Sequence, residues 1–129
     1  IDSASLKDRI RVIGYVSAAQ RAALLRGASL LAHPAIYEGF GFTPIEAMQV
    51  GTPVVATAAG AVPEITGDAA LYAPVGDEFA LASALANVLD DEVLREKLIA
   101  TGSARAKHFN WTRCANEMTA LYEQLAKAR

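Results

Sequence analysis

Two glutamates, Glu38 and Glu46, lie on either side of a glycine-rich segment with the residue types of a ligand-binding loop. Thr43 is a good N-cap residue, Pro44 suits the first position of a helix, and Glu46 follows Thr43 by three residues as in a capping box. We therefore expect a helix to begin at Thr43, directly after Gly39-Phe40-Gly41-Phe42.

The start of this helix has the features of an anion site. Gly39 and Gly41 let the backbone approach a ligand closely, and the N–H groups and dipole of a helix N-terminus attract negative charge. No Lys or Arg occurs between Arg26 and Arg95, so backbone N–H groups, or cations from outside this stretch, must hold a phosphate here. Carboxylates bind sugar hydroxyls instead. The segment therefore predicts a ligand that carries both groups, such as a nucleotide sugar.

Each of these residues also has a purely structural interpretation. Glu46 could serve only the capping box, Glu38 could be a solvated loop acid, and the two glycines could serve only a tight turn. The segment is not a dinucleotide-binding fingerprint, because it lacks the third glycine, and it is not a Walker loop, because no Gly-Lys-Ser/Thr occurs.

Short apolar strands alternate with helices around this segment. The pattern predicts strands over residues 11–16, 29–32, 52–56 and 70–72, and helices over 18–28, 43–50, 77–89, 91–107 and 110–126. Such alternation is typical of a three-layer α/β/α domain with a short parallel sheet. Because ligands bind at the carboxyl ends of such strands, we expect the chemistry in the loops after Val16, Leu31 and Ala56.

Composition limits the alternatives. The 129 residues are one domain's worth, 53% hydrophobic and 20% charged, which is a globular composition. A net charge of -2 argues against a nucleic-acid partner. One cysteine, Cys114, with two histidines, His33 and His108, leaves no zinc ligand set, so we expect no zinc site. Cys114 lies in the apolar stripe of the last helix, which predicts that it is buried.

Several motifs in order resemble the C-terminal, donor-binding domain of the retaining glycosyltransferases of family 4, which have the GT-B architecture with Rossmann-like domains. The two glutamates are separated by seven residues, as in that family. The other matching elements are His33-Pro34, Tyr37-Glu38-Gly39-Phe40-Gly41, Pro44-Ile45-Glu46-Ala47-Met48, Gly51-Thr52-Pro53-Val54-Val55-Ala56, Pro63-Glu64, Phe109-Asn110-Trp111 and Leu121-Tyr122.

The resemblance implies a role for each matching residue. Glu38 is then the catalytic acid that contacts the donor sugar nearest the transferring carbon, Glu46 holds the ribose hydroxyls, and Val16 lies at the strand end that lines the base. His33 and Pro34 shape the loop. The backbone N–H groups that meet the sugar and the diphosphate are those of Gly39, Phe40, Gly41, Phe42 and Thr43.

The resemblance also predicts what surrounds the site. The donor is a UDP- or GDP-sugar, no metal or other cofactor is needed, and the acceptor site lies on an N-terminal domain outside this chain. Residues 1–129, which begin with Ile1, are then part of the C-terminal domain of a longer protein, without its first strand-helix units, and are inactive alone. The expected location is cytoplasmic, with peripheral membrane association as a variant. The alternative function is a non-catalytic nucleotide-sugar binding module, while the two glutamates disfavour a plain interaction domain.

Overall fold

A computed structural model describes residues 6 and 8–128, and over these it is an α/β domain. The strands are β1 (Leu31–His33), β2 (Val54–Thr57) and β3 (Ala70–Ala73), which form one parallel sheet in the order β1-β2-β3. The helices are α1 (Ala18–Gly27), α2 (Phe42–Gln49), α3 (Val62–Thr66), α4 (Glu78–Asp90), α5 (Glu92–Ala106) and α6 (Trp111–Lys127), with a 3₁₀ turn at Gly67–Ala69.

The central strand β2 is buried on both faces, as expected for a parallel sheet covered by helices. Val54 and Ala56 pack with the apolar residues of α2 and α3 on one face, while Val55 packs with Ala84 and Val88 of α4 on the other. The predicted three-layer α/β/α architecture with a short parallel sheet is confirmed. The short helix α3, which follows the loop after β2, was not predicted from the sequence.

The first helix is held firmly at both ends. Ser17 and Gln20 form a capping box at its start, and Leu25 is buried near its end. The Thr52 hydroxyl donates a hydrogen bond of 2.6 Å to the Leu25 carbonyl. These contacts hold α1 beside α2 and set which of its residues face the glycine-rich loop.

The strand predicted over residues 11–16 is wrong. This segment forms no strand, and its apolar side chains are exposed except for the half-buried Val16, with Tyr15 97% exposed. Among the described residues no strand lies beside it, so its backbone has no ladder to join. Without a neighbouring strand to form hydrogen bonds with, this apolar segment does not become a strand.

The predicted burial of Cys114 is also wrong. Cys114 is exposed, and none of the residues that make up α6 is buried within the described chain; Trp111 is 81% exposed. The helix is amphipathic as its pattern predicts. Its apolar stripe faces no other element among the described residues, and without a partner the pattern produces no burial.

We therefore expect the Cys114 thiol in the folded 129-residue chain to react freely. Because it is the single cysteine of the chain, a disulfide-exchange reagent reports on it alone. Modification without denaturant should proceed within about tenfold of the rate in denaturant, since access and thiolate content govern the rate. A thiol that reacts only after unfolding would contradict the exposed position.

Candidate functional site

The carboxyl ends of β1 and β2 meet at one edge of the sheet, where the glycine-rich loop begins. His33 ends β1 opposite Ala56 of β2. The Thr57 hydroxyl, at the end of β2, donates a hydrogen bond of 2.5 Å to the Ala35 carbonyl. This bond fastens the first residues of the loop to the neighbouring strand. Thr57 was not singled out from the sequence, because its role depends on which strands are neighbours.

The helix after the loop begins earlier than predicted. Its N-cap is Gly41, in a left-handed conformation with φ of 103°, and no side chain caps it. The predictions that Thr43 is the N-cap and that Glu46 closes a capping box are therefore wrong. Glycine adopts a positive φ without steric penalty, so Gly41 can turn the chain into the helix two residues sooner. The first N–H groups of α2 have no partner within the helix, and unpaired N–H groups of this kind can bind an anion.

Glu38 lies in front of this helix start, with its side chain 30% exposed. Its Oε1 accepts a hydrogen bond of 3.2 Å from the Phe40 N–H. Its Oε2 lies 3.3 Å from Nε2 of His33, without the alignment of a hydrogen bond. The Phe40 N–H bond has the largest effect and lowers the pKa of Glu38. Partial desolvation opposes it, while the charge of a protonated His33 and the Gly41 N–H lower this pKa further.

Glu46 lies on α2 and is paired with a residue that the sequence analysis missed. The Arg21 guanidinium on α1 donates to Oε1 of Glu46 at 2.5 Å, and both side chains are partly exposed. The hydrogen bond and the charge of Glu46 raise the pKa of Arg21. The pair occupies one carboxylate oxygen and leaves Oε2 for other donors. The order of elements could have indicated this pair. Helices α1 and α2 precede and follow β1 in the chain, and they pack side by side.

The other predicted residues lie around these two acids. Val16 is half-buried and directly precedes Ser17, the cap of α1. Because α1 leads back to the start of β1, Val16 lies toward the loop end of the sheet. The Phe40 and Phe42 rings contact each other with centroids 4.6 Å apart. The space beside Gly39 is open, since an added Cβ would meet no atom within 4 Å.

Among residues 6 and 8–128 no group of three or more His, Cys, Asp or Glu side chains is arranged to hold a metal ion. No helix that the structure describes is both long enough and apolar enough to cross a membrane.

The contacts of Glu38 lead to a prediction about its titration. We expect its pKa to lie below the ordinary value for a glutamate, and His33→Ala to raise it part of the way back. Because folding lowers this pKa, the contacts of the carboxylate stabilise the folded protein at neutral pH, and that contribution is lost as the pH falls through the folded pKa. Carboxyl ¹³C NMR of glutamate-labelled protein measures it. His108→Ala, which removes an exposed histidine elsewhere, is the control and should leave Glu38 unchanged.

Comparison with known proteins shows the family of this chain. Its residues 1–105 match the family described as "Glycosyl transferases group 1". The chain is 37% identical over 116 residues to an O-antigen chain mannosyltransferase B of Escherichia coli, covering 90% of this chain and 30% of that protein. It is 37% identical over 124 residues to a phosphatidyl-myo-inositol mannosyltransferase of Mycobacterium leprae, covering 94% and 33%.

A solved structure agrees with these relatives. The fold is similar to that of sucrose-phosphate synthase from Thermosynechococcus elongatus, with a TM-score of 0.82 and 36% identity over 97% of this chain and 32% of that one. The chain thus spans about a third of the length of the proteins it matches. Its α/β sheet corresponds to a fragment of a GT-B glycosyltransferase, and the chain belongs to the family of group 1 glycosyl transferases.

Proposed function

We propose that this chain is the donor-binding part of a retaining glycosyltransferase that moves a sugar from a nucleotide sugar to an acceptor hydroxyl. In this reaction the bond between the anomeric carbon and the diphosphate oxygen breaks, and the nucleoside diphosphate leaves. The acceptor oxygen then bonds to the same face of the anomeric carbon, and its proton passes to the departing diphosphate oxygen. The acceptor and its site belong to a part of the protein outside these residues.

The observation that carries this proposal is the position of the two acids on either side of one helix start. Glu38 precedes the unpaired N–H groups of α2, and Glu46 follows them on the same helix. Because Glu46 does not cap α2, its carboxylate is not engaged by the N-terminal N–H groups of that helix. The arrangement offers backbone donors for a diphosphate between two carboxylates that accept sugar hydroxyls.

The electrostatics suit a reaction in which a diphosphate leaves. Negative charge develops on the leaving oxygen, and preorganised N–H groups at the helix start stabilise it as an oxyanion hole does. Glu38 is ionised at neutral pH, because its pKa is lowered. An ionised acid near the anomeric carbon stabilises the positive charge that develops there, while its oxygens orient the sugar.

The comparisons suggest which donor to test first. Two of the relatives are named mannosyltransferases, so mannose linked to GDP or UDP heads the screen, followed by the other hexoses. Released nucleoside diphosphate is the readout for the full-length protein. We propose that the 129 residues alone transfer nothing, because the acceptor site lies elsewhere. Donor binding without turnover by the full-length protein would favour the alternative of a non-catalytic module.

In the full-length protein, Glu38→Gln should lower turnover by about 10²-fold or more, the scale for one preorganised polar group. Gln keeps an oxygen for the Phe40 N–H but removes the charge. Affinity for the free nucleoside diphosphate should barely change, since that ligand lacks the sugar. Turnover assays and calorimetric titration measure the two effects, and Glu96→Gln, on the exposed face of α5, is the matched control. Near-normal turnover would reduce Glu38 to a solvated loop acid.

Glu46→Ala and Glu46→Gln should both weaken nucleoside diphosphate binding by about tenfold or more, because hydrogen bonds to a charged acceptor contribute about 1.5–3 kcal/mol. The free energy of unfolding should change little, since the residue caps no helix and exposed ion pairs contribute little. Arg21→Met separates the two partners: it removes the ion pair but keeps the carboxylate, and its effect should be smaller. Full affinity in Glu46→Gln would contradict the ribose assignment.

A further inference from the structure

Gly60, in the loop after β2, lies close against the main chain of Glu38. A Cβ added at Gly60 would lie 2.3 Å from the Glu38 carbonyl oxygen and 3.0 Å from the Glu38 nitrogen. Real Cβ atoms essentially never come within 3.0 Å of such atoms. Because the obstructing atoms are main chain, no rotation of a side chain can relieve the contact.

The same loop also holds Glu38 by a hydrogen bond. The Ala61 N–H donates to the Glu38 carbonyl at 3.0 Å, and Gly60 brings that N–H into place through a positive φ of 52°. Ala59 is buried, so the loop is seated on the core rather than free in solvent. The main chain of Glu38 therefore packs against the loop that follows β2, and this loop is anchored on the core through Ala59.

The carboxylate of Glu38 depends on this support. Its side chain turns back to accept the N–H of Phe40, two residues later, so its direction follows from where the Glu38 backbone lies. Moving that backbone moves the acid relative to the start of α2. Glu46 is different, because it is part of α2 itself and is oriented by Arg21.

We infer that Gly60 is a positioning residue for catalysis, whose lack of a side chain sets the place of Glu38 relative to the donor sugar. This inference rests on the proposed function of Glu38. It assigns Gly60 an effect on turnover and none on the binding of the nucleoside diphosphate.

The test compares Gly60→Ala with Gly51→Ala in the full-length protein. Gly51 also has a positive φ, of 81°, but lies at the opposite end of the sheet, where an added Cβ would make only an ordinary contact of 3.9 Å with Ile99. Both variants carry the same kind of backbone strain, and only Gly60→Ala displaces Glu38. A displacement of roughly 1 Å corresponds to a loss of about 10²-fold in turnover.

The expected result is a fall of about 10²-fold in kcat for Gly60→Ala, with nucleoside diphosphate affinity within about threefold of the parent and near-normal kcat for Gly51→Ala. Equal kcat in the two variants would overturn the inference, and so would a loss of diphosphate affinity as large as the loss of kcat. If Glu38→Gln itself turns over normally, the proposed role of Glu38 fails instead.

A second variant covers the case in which Gly60→Ala does not fold. Ala61 has φ of -78°, within the range of proline, so Ala61→Pro suits that backbone angle. It removes the N–H that donates to the Glu38 carbonyl and places the ring Cδ against the same oxygen, so it also displaces the Glu38 main chain. We expect its kcat to fall by about tenfold with diphosphate affinity unchanged. An unchanged kcat in this folded variant would overturn the inference.

Discussion

The parallel pairing of β1 with β2 is the constraint on which the site depends. Parallel neighbours end at the same edge of a sheet, so the chain leaving His33 and the chain leaving Thr57 emerge side by side. Thr57 then holds the first loop through the Ala35 carbonyl, and the second loop lies against the main chain of Glu38. Neither loop has regular structure at this point, and each supports the other.

The charged groups of the site are arranged around the N-terminus of α2. Two carboxylates near a position for an anion would repel it, unless their charge is balanced. The charge of Glu38 is partly balanced by the Phe40 N–H, and that of Glu46 by the Arg21 guanidinium. The positive end of the α2 dipole acts on Glu38, which precedes the helix, and would act on an anion bound there. This arrangement fits the proposed function, in which the same helix terminus lies close to acids that accept sugar hydroxyls and to a diphosphate that needs donors.

The helices and strands that were predicted well have local signals. Asp77, Asp91 and Asn110 cap α4, α5 and α6 with their side chains, and such caps can be seen in a sequence. The predictions that were wrong concern partners. Residues 11–16 and the stripe of α6 have the apolar pattern of buried elements, yet no residue of either is buried in the described part of the chain. Burial needs a second surface, which a pattern along one chain does not supply.

The sequence by itself determined the class of the fold, the glycine-rich segment and the two acids, because alternating periods, glycines and carboxylates are properties of residue types in order. The tertiary structure alone decided how the acids are held. Gly41 rather than Thr43 starts the helix, since its positive φ depends on the path of the whole loop. Arg21 meets Glu46 and Gly60 meets Glu38 across 25 and 22 residues of chain, contacts that exist only once the strands have paired and the helices have packed on them.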